Sequence, residues 1–344
     1  MNICHLTSDS AKGGIEKHLL DLSTEQSRYT QVSLLGPNNL TAQASEEVIK
    51  IPFNWKLSRH NPLLALNLLA VLKKNNFDLI HCHGEKAYVV VNKIRHFLGL
   101  PIVATIHNAR KKRSSSFKNA DLIIGVSQSA LSTIPKNPNQ LRRVIYNGID
   151  PHFKSKKINT EFPIAIDKLT RPIICGIGRL VEAKGFDRLI RVAHKLNFQL
   201  IIIGEGPLKT SLLDLAAQLD FDQSVHFLGH RNEVSEILSL VDACLITSYA
   251  EGFSYVALEA LFSKTLIAST NVACMEFLPD YVLLPNSVDQ MANKISFLFN
   301  DIDRWKKSLS ISYEFALKNL TTQSMAIKTL STYKELFHKK TKLK

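Results

Sequence analysis

PIICGIGRLVEAKGFDRLIRVAHKLNFQLIIIGEGP, residues 172–207, carries the pattern that decides the fold. The apolar run Pro172–Gly176 gives way to a turn holding Gly178, Arg179, Lys184 and Gly185. Phe186–Leu196 then places apolar residues at helical spacing, and a second apolar run, Gln199–Ile203, ends in Gly204-Glu205-Gly206-Pro207. Two strands joined through an amphipathic helix must lie parallel, and parallel sheets are covered by helices on both faces. Glycines and cations therefore fall on strand-to-helix loops, at the strand ends where ligands bind in open α/β sheets.

The pattern extends outward in both directions. Strands are expected at Asn2–Leu6, Gln31–Leu35, Glu47–Ile51, Asp78–Cys82, Ile102–Ile106, Leu122–Val126 and Arg143–Tyr146. Beyond the quoted stretch they are expected at Val225–Leu228, Ala243–Thr247, Leu266–Ser269 and Val282–Leu284. Helical periodicity marks Ile15–Gln26, Leu63–Asn75, Lys86–Phe97, Leu208–Leu219, Val234–Leu240 and Tyr255–Phe262, then three long segments near 288–299, 303–318 and 322–337. Residues 150–171 lack periodicity, and Pro151, Pro163 and Pro172 punctuate them as a linker. The expected fold is α/β: two Rossmann-like, doubly wound parallel-sheet domains, 1–155 and 165–320, facing a cleft.

Bulk properties narrow the function classes. A chain of 344 residues with 45% hydrophobic content can bury two cores of ordinary size. Its five cysteines, Cys4, Cys82, Cys175, Cys244 and Cys274, are scattered without a C-x-x-C pair and read as thiols of a reducing compartment. Residues 1–20 lack the long apolar core of a signal peptide, and the most apolar stretch, Leu63 to Leu72, falls short of the ~20 residues of a spanning helix. The expected location is cytoplasmic. The net charge of +13 is concentrated in residues 1–150, where 19 Lys/Arg face 10 Asp/Glu. It culminates in Arg110-Lys111-Lys112-Arg113, a patch suited to polyanions, whether nucleic acid, anionic lipid or a phosphorylated acceptor.

Several loops carry residue types with chemical meaning. Gly13-Gly14 opens the first helix, where a ligand could approach backbone N–H groups; a plain tight turn fits equally well. No G-x-G-x-x-G is present, which argues against a dinucleotide site. His81 and His83 share one face of a strand with Cys82 opposite; lacking further ligands, they read as structural rather than as a metal site. His107 ends a buried strand just before the basic run and reads as a substrate residue. Arg179 and Lys184 pair a planar fork with a point charge, a combination suited to a diphosphate leaving group. In Glu251-Gly252-Phe253-Ser254-Tyr255-Val256-Ala257-Leu258-Glu259, Ser254 suits an N-cap. Glu251 on the loop and Glu259 in the helix suit sugar and ribose hydroxyls. Gly204 permits close backbone approach, and Arg231 follows a strand that could border a base.

Taken in order, these pieces resemble the GT-B type retaining glycosyltransferases of family 4, also called glycosyl transferases group 1. The resemblance rests on Gly13-Gly14-Ile15-Glu16, Asp78 to His83, Thr105-Ile106-His107, Val126-Ser127, Asn147 to Asp150, Gly178-Arg179-Leu180 with Lys184-Gly185, Gly204 to Pro207, and the glutamates Glu251 and Glu259. It implies that the first domain takes the acceptor and the second a nucleotide-diphospho-sugar, UDP-linked, with no cofactor and no metal. Arg179 and Lys184 would hold the diphosphate, Glu259 the ribose and Glu251 the sugar. Phe253, Ser254, Tyr255 and Val256 would line the donor, with Gly14 near the diphosphate and His107 at the transferred sugar. The last helix, about 322–340, would pack back on the first domain. The acceptor would be a bacterial surface glycan or lipid-linked glycan, lipopolysaccharide core above all. The chain departs from the family pattern at Ser254, where glycine is usual. It departs also at Val272-Ala273-Cys274, in place of a glycine pair before Glu276, and at Thr265, a common proline position.

Other readings fit less of the chain. A nucleotide-sugar epimerase of the same fold would need acid and base groups at the sugar. A basic nucleic-acid-binding protein would need interleaved aromatics or a known module, so no nucleic-acid partner is expected.

Overall fold

The computed structural model describes residues 1–9, 13–107, 116–152, 164–272 and 275–342. These divide into two units, Met1–Gly148 with Asn319–Lys344, and Ile149–Lys318.

The first unit is built on a seven-stranded parallel sheet. Its strands are β1 (Asn2–Thr7), β2 (Gln31–Gly36), β3 (Ile49–Pro52), β4 (Leu79–His83), β5 (Ile102–Ile106), β6 (Leu122–Gly125) and β7 (Leu141–Val144), in the order β3-β2-β1-β4-β5-β6-β7. The helices α1 (Gly14–Ser27), α2 (Asn38–Thr41), α3 (Pro62–Lys74), α4 (Glu85–Leu98) and α5 (Gln128–Ser132) connect them. Central strands β4, β5 and β6 are buried at every position, which is why β5 and β6 read as mostly apolar runs rather than alternating ones, while β4 carries the buried His81 and His83. Helix α3 starts where Asn61 accepts from the Leu63 N–H and Pro62 occupies the first helical position. The single-turn helices α2 and α5 were not expected from the sequence, because four or five residues are too few to show a 3.6-residue period. Asp78, expected within a strand, sits just before β4 and ties the starts of β1 and β4 together: its carboxylate accepts from the Asn2 N–H at 2.7 Å.

The second unit holds a six-stranded parallel sheet of β8 (Ile173–Ile177), β9 (Gln199–Ile203), β10 (Val225–Gly229), β11 (Ala243–Ile246), β12 (Leu266–Thr270) and β13 (Leu283–Leu284), in the order β10-β9-β8-β11-β12-β13. Helices α6 (Phe186–Leu196), α7 (Lys209–Gln218), α8 (Val234–Leu240), α9 (Tyr255–Phe262), α10 (Val288–Phe299) and α11 (Ile302–Asn319) complete it. Trp305 on α11 is fully buried and donates its indole N–H to the Ile267 carbonyl at 3.0 Å, tying this helix to β12.

The last helix, α12 (Thr322–Lys342), belongs to the first unit. Met325, Ala326, Tyr333 and Leu336 pack with Ile3, Leu22, Val103 and Ile124. At about 1.5–3 kcal/mol for each large side chain buried, this face rather than helix propensity holds α12 in place. Its end is pinned by Lys340, whose ammonium lies 2.8 Å from Asp121, and by Lys339, which donates to the Asn139 carbonyl.

Both sheets reverse their winding direction once, between β1 and β4 in the first unit and between β8 and β11 in the second. Ligands of open α/β sheets bind outside the carboxyl ends of strands at these points.

Candidate functional site

At the second unit's switch point the loop after β8 is fastened to its neighbours by backbone hydrogen bonds. Gly178 N–H donates to Ile203, Leu180 N–H to Glu205, and Leu208 N–H back to Leu180. Gly204 sits at φ +139, and a Cβ there would lie 1.9 Å from the Gly178 carbonyl oxygen. Gly204→Ala therefore combines backbone strain with a main-chain clash, and should cost about 3 kcal/mol of stability. Urea unfolding checks this; an unchanged midpoint would show that the two loops are not in contact.

The same loop continues through Lys184 to Gly185, which adopts φ +63, with the Thr247 carbonyl 2.1 Å from the position of a Cβ. Thr247, following β11, returns the contact by donating its hydroxyl to the Gly185 carbonyl at 2.8 Å. This clasp brings Lys184 and Glu251 together. The Lys184 ammonium lies 2.6 Å from Glu251 Oε1, and the Ser248 hydroxyl donates to that same oxygen at 2.7 Å. The Glu251 side chain is only 6% exposed, so its charge depends on these two partners. Lys184, Glu251, Ser254 and Val256 border one small pocket with Phe186, Thr247 and Ser248. Ser254 caps α9, accepting from the Ala257 N–H at 3.3 Å.

The remaining second-unit candidates stand outside that pocket wall. Arg179 is exposed, and its guanidinium has no ion-pair partner among the described residues. Arg231 donates Nε–H to the Leu228 carbonyl at 3.0 Å. Phe253 and Tyr255 stack edge to face with ring centroids 5.6 Å apart. Glu259 is half-buried on α9, and Gly204 is part of the loop junction described above.

Sequence reasoning missed Arg188, Thr247 and Ser248. Arg188 is 5% exposed, donates to the Thr247 carbonyl, and stacks 3.7 Å over the Tyr249 ring. A signal was available: it is an arginine on the apolar face of α6, among Phe186, Leu189 and Val192, where a charge must find a buried partner.

In the first unit, Gly14 begins α1 and is exposed, and the preceding Gly13 N–H donates to Glu16 at 2.9 Å. His107 is 9% exposed and follows β5, lining a cavity of about 230 Å³ with Asp9, Arg59, Glu85 and Lys86. Behind it lie four more buried histidines. The parallel register of β1 on β4 sets His5 beside His81, whose ring also contacts His83. His18 arrives from α1 with its ring edge-on to His107 at 4.7 Å. His81 is held on both sides, by the Tyr333 hydroxyl and by Thr105 Oγ1 at 2.6 Å, so it is a satisfied core histidine. Burial pushes His5 down to about 4 and His18 to about 3, and holds His81, His83 and His107 well below the ordinary imidazole range. The sequence had flagged His81, His83 and His107; it could not place His5 and His18 beside them.

Two family models cover most of the chain: "Glycosyltransferase Family 4" over residues 12–153 and "Glycosyl transferases group 1" over residues 158–311. The chain belongs to glycosyltransferase family 4. Among relatives of this glycosyltransferase is an uncharacterised glycosyltransferase of Methanocaldococcus jannaschii, 27% identical over 302 residues, covering 77% of each chain. Another is the O-antigen biosynthesis glycosyltransferase WclY of Escherichia coli, 26% identical, covering 76% of this chain and 80% of the relative. Among solved structures, Anabaena HepE in complex with UDP-glucose aligns with a TM-score of 0.82 at 20% identity, over 97% of this chain and all of that one. The fold of this glycosyltransferase is thus GT-B, with two Rossmann-like domains.

Thr265, at a position where the family resemblance implies proline, donates its N–H to Ala260 and its hydroxyl to the Leu238 carbonyl at 2.7 Å. The hydroxyl thus gives the glycosyltransferase an anchor there, and the N–H bond is one that proline could not make. No helix among the described residues is long and apolar enough to cross a membrane. Arg110, Lys111, Lys112 and Arg113, together with Ala273 and Cys274, lie outside the described residues.

Proposed function

We propose that this glycosyltransferase moves a sugar from a UDP-linked donor, with retention of anomeric configuration, to a surface glycan or lipid-linked acceptor of the lipopolysaccharide core or O-antigen class. The observation that carries the donor reading is the Lys184–Glu251–Ser248 cluster at the second unit's switch point, with the exposed Arg179 on the same loop as Lys184. An ammonium has three N–H donors, so Lys184 can keep Glu251 and still donate to a phosphate oxygen. Arg179 adds a planar fork for the same diphosphate. As the bond from the anomeric carbon to the phosphate oxygen breaks, negative charge grows on the leaving diphosphate, and these two cations stabilise it without reorganising. Glu251 accepts from sugar hydroxyls and Glu259 from the ribose. The residues Phe253 to Val256 bring backbone N–H groups at the start of α9 to the donor.

Retention follows if the departing phosphate oxygen takes the acceptor hydroxyl's proton while that hydroxyl attacks from the same face. This scheme needs no covalent enzyme intermediate. The acceptor reading is supported by WclY and by the first unit's cavity, where Arg59 and Lys86 suit a phosphate-bearing glycan and His107 suits the transferred sugar. HepE with UDP-glucose supports the choice of nucleotide.

A thermal-shift screen against UDP-, ADP- and GDP-sugars tests the donor. A UDP-sugar at about a hundred times its Kd should add about 2.7 kcal/mol of stability, raising Tm by several degrees. No response to any nucleotide sugar would remove the donor reading. NMR of the product's anomeric linkage separates retention from inversion. Turnover of donor alone into an isomeric donor would instead identify an epimerase.

A further inference from the structure

Leaving β3, the chain turns through Pro52-Phe53-Asn54-Trp55-Lys56, a segment that the donor chemistry does not use. Two contacts to its main chain fix it in place. The Phe53 N–H donates to the Gly36 carbonyl at the end of β2 at 2.8 Å, and the Lys86 ammonium donates to the Trp55 carbonyl at 2.6 Å. Asn54 Oδ1 accepts from the Lys56 N–H at 3.0 Å, which closes the turn. The Phe53 and Trp55 rings meet edge to face, with centroids 5.0 Å apart.

With Ser8 and Asn38 these residues wall a cavity of about 680 Å³ at the carboxyl ends of β1, β2 and β3. That is the size of a small-molecule site, on the sheet edge where open α/β folds bind ligands. The lining combines two aromatic rings with the exposed amides of Asn38 and Asn54 and the exposed Lys56, whose ammonium has no ion-pair partner among the described residues. Trp55 is 7% exposed, and its indole N–H is buried without an acceptor among the described residues. An indole N–H can only donate, and leaving a buried donor unpaired costs about 1–3 kcal/mol. The chain's other tryptophan, Trp305, has its acceptor in Ile267.

We propose that this cavity is a subsite for an internal sugar of the acceptor glycan, behind the sugar whose hydroxyl attacks. A sugar ring has a C–H face that packs on aromatic rings and a rim of hydroxyls that accept from an indole N–H and exchange hydrogen bonds with amides. Continuity with the cavity at His107 gives the direction. Ser8 lines one cavity and the adjacent Asp9 the other, and Lys86, which lines the His107 cavity, is the residue bonded to Trp55. A glycan whose terminal sugar lies near His107 thus runs on toward Trp55. Lys56 supplies a cation there for an anionic substituent on the internal sugar. The inference rests on the sugar-transfer reading for that direction, and it adds a requirement: the acceptor already carries at least two sugars.

The test titrates the full-length protein with mono- to tetrasaccharide fragments of bacterial surface glycans, without donor, and follows tryptophan emission and heat of binding. Because Trp305 is fully buried and bonded, a change in emission reports Trp55. Fragments of two or more sugars should change the emission and bind at least about ten-fold more tightly than monosaccharides. Trp55→Phe keeps an aromatic ring but loses the N–H, and should weaken that binding about two- to ten-fold. Trp55→Ala should weaken it at least about 30-fold. Phe97→Ala, an exposed aromatic on α4, should leave it unchanged. The proposal is overturned if no fragment changes the emission or binds, or if folded Trp55→Phe and Trp55→Ala both bind as wild type does. Thermal shifts with UDP-sugars, run alongside, keep the two readings apart. A donor response without a glycan response removes the subsite and leaves sugar transfer standing. Glycan binding at Trp55 without any nucleotide-sugar response keeps the glycan site and removes the donor reading.

Discussion

Lys184→Ala lowers kcat/KM for sugar transfer about a thousand-fold, close to 4 kcal/mol of transition-state stabilisation. The size follows from where the ammonium sits. It is the partner of a carboxylate only 6% exposed, and on the proposed chemistry it also meets the charge that develops on the leaving diphosphate. Removing it strips the donor of a cation and leaves Glu251 with Ser248 alone. Glu251→Gln keeps the packing and removes the charge, so it should also depress transfer. The double variant Lys184→Ala/Glu251→Gln should lose less than the two single losses combined, because the residues share one interaction. Arg179→Lys should restore little of what Arg179→Ala removes, since a point charge does not reproduce the fork. Steady-state kinetics with a UDP-sugar, alongside thermal melts that confirm folding, decide the matter. Folded Lys184→Ala protein within about ten-fold of wild-type transfer would remove Lys184 from the chemistry.

Acidification unfolds the protein through its buried imidazoles. The cluster comprises His5 on β1, His18 on α1, His81 and His83 on β4, and His107 after β5. Gln26, Thr105, Asn147 and Tyr333 face it. In the unfolded chain each histidine takes up its proton near the ordinary value of 6.5, whereas folded His5 waits until about 4 and folded His18 until about 3. The sign is therefore fixed: the folded values are depressed, so stability is full above about pH 6.5 and is lost as pH falls toward the folded values. At about pH 5 His5 and His18 alone remove about 4 kcal/mol, because the unfolded state binds two protons that the folded state refuses. His81, His83 and His107 shift in the same direction and add to the loss. Urea unfolding at about pH 7 and about pH 5 measures it. A difference under about 1 kcal/mol would mean that the folded cluster admits protons, and the neutral, buried description would be wrong.

The two sheets were legible because parallel strands are buried on both faces. Ile173–Ile177, Gln199–Ile203 and Ile102–Ile106 show that burial as continuous apolar runs, and the intervening amphipathic segments show the helices. Short elements were not legible: α2 and α5 span about one turn, and one turn has no period to detect. Among site residues, Lys184 and Glu251 stood out because glycines and charges at strand ends are poor choices for a core. Arg188 and Thr247 did not, because each matters through a partner far along the chain, Thr247 to Gly185 and Arg188 to Thr247; Ser248, only three residues before Glu251, did not because a serine in a loop carries no signal by itself.

What the amino-acid order determined alone is local: which segments are strand or helix, and which loops carry cations, carboxylates and glycines. Hydrophobic period and turn chemistry act over a few residues, so they are written in a few residues. What only the tertiary structure decided is register and meeting. The pairing of β1 with β4 sets His5 against His81, the packing of α1 brings His18 to His107, and Asn147 reaches back across the sequence to choose His18's tautomer. Such contacts depend on how whole elements stack, and no stretch of neighbouring residues encodes that stacking by itself.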